Sequence, residues 1–149
     1  MLLAALAGLL AISWPLEATE TDLTRVTGTW SIDSATVDVH RTDVLPYKNY
    51  LVRIDGNIVR IEKPDSGLPV ATFGLRLRPG RKLDDPIQFD LYDADNKHVY
   101  QGIYRLNGAQ LELAVAPFGK TAVDDNRPKD FRPRAGQGIT LVRLHWVRG

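Results

Sequence analysis

From residue 28 onward the chain alternates apolar and polar side chains in short runs, each closed by turn-forming residues. A period of two marks a β-strand with one face buried, because successive side chains point to opposite sides of a sheet. In "GTWSIDSATVDV" this reading puts Trp30, Ile32, Ser34 and Thr36 on one face, and in "YKNYLVRI" it groups Tyr50, Val52 and Ile54. The "DGN" at 55–57 suits a tight hairpin, after which Val59 and Ile61 face one way and Arg60 and Glu62 the other. Further along, Ala71, Phe73, Leu75 and Leu77 share a face, as do Ile87, Phe89 and Leu91, with Gln88 and Asp90 opposite. A second hairpin at "NGA", 107–109, joins strands that bury Tyr104, Leu106, Leu111, Leu113 and Val115, and "GITLVRLHWVR" forms the last strand. Nothing in this part has a sustained helical period, although residues 17–26 leave room for a turn of helix.

About eight strands joined mostly by short turns predict an all-β, antiparallel up-and-down barrel, a meander that curls until its edges meet. Closure places the end of the last strand beside the start of the first, so Trp146 or Arg148 is expected next to the segment from Gly28 to Trp30. A β-sandwich is the alternative, since alternation alone does not say whether a sheet closes.

Composition adds bounds rather than a function. At 149 residues, 44% hydrophobic and 25% charged, the chain has the size and make-up of one globular domain. A net charge of +1 supplies no field of the kind that nucleic-acid binding needs, so no nucleic-acid partner is expected. The uncharged run from Leu2 to Trp14 is too short to span a bilayer and has the length of a signal-peptide core. Residues 1–18 are therefore read as an export signal cleaved near Ala18, and residues 19–149 as a single domain. An N-terminal helix packed on that domain is the alternative. On the first reading the protein is periplasmic or extracellular, has no integral membrane span after cleavage, and is a monomer. Cysteine is absent, so export would bring no disulfides and the core must suffice.

Three stretches carry a resemblance: "GTW" at 28–30, "GIYRLNGAQLELAVAPFG" at 102–119 and "NRPKDFRPRAGQGITLVRL" at 126–144. Together they resemble the planctomycete lipocalin-like domain family of small, often exported proteins. The resemblance implies a lipocalin-like barrel and assigns no activity. Ala109 and Gln110 stand where that family commonly has an acidic residue, so no role of such a carboxylate carries over.

Candidate chemistry is sparse. No Ser, Thr or Lys is paired with a base and an orienting group, so no catalytic residues and no enzyme activity are expected. His40, His98 and His145 are scattered and read as surface or strand-end residues, and no metal or cofactor is assigned. Asp90, Asp93, Asp95 and Asn96 have the alternation that opens a calcium loop, but Lys97 and His98 follow where further oxygen donors belong, and the stretch reads as a polar turn. "RLRPGRK" at 76–82 gathers Arg76, Arg78, Arg81 and Lys82, a solvated turn or an anion trap.

Two functions remain. The first is a binding module that takes a small apolar or amphipathic molecule inside the barrel, with Trp30, Tyr50, Phe73, Phe89 and Tyr104 as ligand-binding candidates. The second is a structural or protein-interaction domain with a packed core, acting on a protein partner through charged loops. Gly28, Trp30, Phe131 and Arg148 are the candidates for barrel closure, with Trp30 plugging one end under Arg143 or Arg148. "DDNRPKDFRP" at 124–133 reads as a lid: Pro128 and Pro133 stiffen it, Phe131 inserts into an apolar rim, and Arg127 or Arg132 pairs with Asp124, Asp125 or Asp130. A buried Phe131 predicts a loss of about 3 kcal/mol on Phe131→Ala.

Overall fold

The computed structural model describes residues 22–37, 42–43, 47–78, 86–93, 99–116, 127–132 and 136–148. Among these, nine strands form one antiparallel sheet: β1 (Gly28–Val37), β2 (Thr42–Asp43), β3 (Leu51–Asp55), β4 (Ile58–Glu62), β5 (Pro69–Arg78), β6 (Ile87–Tyr92), β7 (Val99–Asn107), β8 (Gln110–Val115) and β9 (Thr140–Trp146). Each long strand pairs with the next, and β9 returns to β1, so eight strands close an up-and-down barrel. β2 is an extra two-residue strand beside the end of β1. Closure leaves the eight long strands without an open edge, which is what selects a barrel over a sandwich.

Closure occurs where the alternation places it. Trp30 pairs with Trp146, Ser31 with His145 and Ile32 with Leu144. Gly28 holds φ at 141°, and a β-carbon there would lie 2.1 Å from Trp146 Cη2, so only glycine lets the Trp146 ring cover the start of β1. Trp30 is 1% exposed, meets Trp146 edge to face at 5.1 Å, and donates its indole N–H to the Val26 carbonyl at 2.8 Å. A helical turn at 22–26 thereby caps this end of the barrel, called the lower end below, with Val26 in the core. The partner of Trp30 is Trp146 and not a cation: Arg148 is exposed beyond β9, and Arg143 points outward toward Glu112. An aromatic edge fills the cap without the desolvation that a guanidinium would demand.

The inward faces of β3 to β9 follow the period-two reading, and their apolar side chains form one cluster with Trp30. β1 departs from it. Its pairing with β9 shifts between Ile32 and Ser34, after which Ala35 faces Val142 and Ser34 faces the outward Arg143. Directly paired residues share a face, so this bulge turns Ala35 inward and Ser34 and Thr36 outward.

The largest correction concerns the connection between β8 and β9. Its described part, 127–132, lies on the outer wall of β6 to β9 as a strap and does not cover a barrel end. Arg127 donates to the carbonyls of Phe89 (2.8 Å) and Gly102 (2.9 Å) and pairs with Asp90. Asp90 has no exposed surface and also meets Arg78 at 3.1 Å. Arg127 thus reaches a carboxylate on β6 along the outer face of the barrel, a partner outside its own segment. Phe131, half-buried, packs on an outer apolar cluster of Ile103, Ala114 and Ile139, and the Arg105 guanidinium sits 4.4 Å from its ring centre. Residues 1–18, His40, Arg81, Lys82, Asp95, Asn96, His98, Asp124, Asp125 and Pro133 lie outside the described residues. Among the described residues no helix is long and apolar enough to cross a membrane.

Candidate functional site

Three spaces compete for a ligand. The first is the barrel interior. It is lined by apolar side chains, with Leu75, Leu77, Phe89 and Leu113 facing Val52 and Leu144, and the ring of Tyr104 closes its lower side. Its free volume is about 60 Å³, whereas small-molecule sites run from about 300 to 1,000 Å³. One reason is local: a β-carbon at Gly102 would stand 2.3 Å from Phe89 Cζ and 2.7 Å from the Ala114 carbonyl oxygen, so glycine there lets the Phe89 ring lie flat against the wall and fill the middle. The interior is a packed core with a small apolar gap.

The five residues expected to line a ligand are therefore placed as follows. Trp30 and Phe89 are buried and packed against protein. Tyr50 and Phe73 are half-buried toward the other end, each edge to face with a second aromatic, Tyr47 and Tyr100 respectively. Tyr104 alone reaches a space of ligand size.

That second space is a cleft of about 560 Å³ at the lower end. The helical turn contributes Asp22 and Arg25, the start of β6 contributes Pro86 and Ile87, the end of β7 contributes residues 104–106, and the strap contributes residues 129–132. Each is there for a separate reason: the Val26 to Trp30 hydrogen bond fixes the turn, and the Arg127–Asp90 pair fixes the strap. Tyr104, 4% exposed, forms the floor, with its ring in the core and its hydroxyl end at the cleft. Burial, aided by the neighbouring Asp22 carboxylate and opposed by Arg25, pushes the phenol well above its ordinary 10.0. It therefore remains a neutral O–H donor across the physiological range. Burial likewise raises the Asp22 carboxyl above its usual 3.8, with Arg25 opposing.

The third space, about 570 Å³, crosses β1, β8 and β9 around Asp33, Glu112 and Arg143. Its charges are already satisfied by one another: Glu112 bridges Arg105 (2.5 Å) and Arg143 (3.6 Å), and Asp33 meets His145. A ligand there would have to displace internal pairs, so volume alone does not make it a site. Among the described residues no group of His, Asp and Glu is placed to hold a metal ion.

The lower cleft was not legible from strand periodicity, since Asp22, Arg25, Lys129 and Arg132 lie outside the long strands. One signal was present. In "GIYRL", "LELAV" and "TLVRL" apolar residues occupy both parities, and the surplus ones, Ile103, Ala114 and Leu141, form the outer patch that the strap covers. Comparison with known proteins adds no relative: no protein-family model matches the chain, and no curated protein or solved structure is significantly similar to it. The fold and the cleft are thus the basis for function.

Proposed function

We propose that the protein is an exported, non-catalytic, lipocalin-like binding module whose ligand, a small amphipathic molecule, occupies the lower cleft rather than the barrel interior. The contrast in volume carries this reading: about 560 Å³ in the cleft against about 60 Å³ inside. The cleft combines apolar walls at Ile87, Leu106 and Phe131 with charged groups and the Tyr104 hydroxyl, the mixture expected of a site that orients what it holds. The closed barrel and the three motif stretches support the lipocalin-like assignment. A second reading, a protein-interaction domain with a solid core, draws support from the filled interior and from Leu68, 68% exposed beside the exposed Val70.

Amide shifts of isotope-labelled protein, titrated with phenylnaphthylamine (neutral) and anilinonaphthalene sulfonate (anionic), separate these readings. Shifts clustered at Arg25, 104–106 and 129–132 support the cleft. Shifts at Val52, Leu75 and Leu77 would place the ligand inside the barrel and overturn it. Neither probe shifting any of these residues would favour the interaction domain.

A further inference from the structure

We propose that the lower cleft is an anion site, taking a small molecule with a carboxylate, sulfate or phosphate group on an apolar body. The anionic group is recognised by Lys129, Arg132 and the Tyr104 hydroxyl, and the body lies against Ile87, Leu106 and Phe131. This inference rests on the cleft being the binding site.

Four cationic side chains line the cleft against two carboxylates. Two of the cations are already engaged: Arg105 is held by Glu112 and by the Phe131 ring, and Arg25 lies within electrostatic reach of Asp22. Asp130 is turned to its own segment, where its carboxylate accepts the Arg132 backbone N–H at 3.0 Å. Lys129 and Arg132 are exposed, and among the described residues neither side chain has an anionic partner. Among the described residues they are the cations of the cleft that no carboxylate or ring engages.

The floor supplies an independent observation. The Tyr104 ring is buried while its hydroxyl end reaches the cleft, and among the described residues no side chain or carbonyl receives its O–H, so that donor faces whatever occupies the cleft. Because the hydroxyl stays protonated, it keeps a proton to donate, and charged oxygens are its strongest acceptors. Asp22 opposes an anion, which makes its removal the most discriminating variant.

The test compares the two probes on the full chain by fluorescence titration; they share aromatic rings and differ in the sulfonate. The anionic probe is expected to bind about tenfold more tightly than the neutral one, the scale of one charge-assisted hydrogen bond. Lys129→Gln, Arg132→Gln and Tyr104→Phe should each weaken the anionic probe severalfold more than the neutral one, and added salt should act the same way. Asp22→Asn should tighten the anionic probe. Equal affinity for the two probes, or weaker binding of the anionic one to Asp22→Asn, would overturn the anion inference while leaving the cleft intact as a site. Amide shifts confined to other residues would instead remove the cleft, and both readings with it.

Discussion

Tyr104 joins the two halves of this protein in one side chain. Its ring completes the core wall, 6.5 Å from Phe89, while its hydroxyl is exposed to the cleft and to the charge of Asp22. A tyrosine whose folded-state pKa lies above its unfolded value of 10.0 favours the folded state fully below that pH. As pH rises beyond it the unfolded chain ionises first, so stability falls until the folded phenol also titrates. Chemical denaturation across that alkaline range should show a decline that Tyr104→Phe reduces; an equal decline in the variant would mean that the hydroxyl is freely solvated. The alternation identified the inward face of Tyr104 correctly. It carried no information about the hydroxyl, because Asp22 and Arg25 approach it from a segment far away in sequence.

At the scale of elements, the strap is the feature that decides where a site can form. It is anchored at one end by Arg127 and at the other by Phe131, and these anchors differ in kind. Removing Arg127 takes from the buried Asp90 carboxylate the closer of the two guanidinium groups it meets and leaves it with the half-exposed Arg78, a loss of up to about 3 kcal/mol. Arg127→Met is therefore expected to be strongly destabilising in urea denaturation, and Asp90→Leu combined with Arg127→Met to recover much of the loss. Equal or additive losses would show that the pair does not act as a unit. Phe131 is half-buried on an outer wall rather than inserted in a barrel rim, so Phe131→Ala should cost about 2 kcal/mol, from partial burial and the Arg105 contact. That is less than the value expected of a fully buried ring. A loss below about 0.5 kcal/mol would detach Phe131 from the wall altogether. The stretch "DDNRPKDFRP" showed its prolines and charges openly in the sequence, but the charge that Arg127 meets, Asp90, lies on β6. A pattern read within one segment finds partners only within that segment, and so it offered Asp124, Asp125 and Asp130 and could not include Asp90.

For the whole molecule, closure between β1 and β9 is the event on which the rest depends, because it removes the sheet's edges and buries Trp30 and Leu144 together. Two glycines test it. Gly28→Ala forces a β-carbon into the Trp146 ring at a backbone angle that L-residues avoid, and a loss of about 2 kcal/mol is expected. Gly74→Ala, whose β-carbon would meet nothing nearer than Tyr92 Cβ at 3.9 Å, should change stability by no more than about 0.5 kcal/mol. Similar losses at both positions, measured by thermal or chemical denaturation, would mean that the Gly28–Trp146 approach does not control closure. The sequence by itself determined about eight strands, their inward faces from β3 to β8 and the approach of the end of the last strand to the start of the first, because period-two burial and short turns are local rules that each segment obeys alone. Only the tertiary structure decided that the Phe89 ring and its neighbours leave a gap of about 60 Å³ inside, that Arg127 spans the wall to Asp90, and that four separate segments enclose a cleft of about 560 Å³. Those outcomes depend on volumes and charges brought together from distant parts of the chain, which no local period encodes.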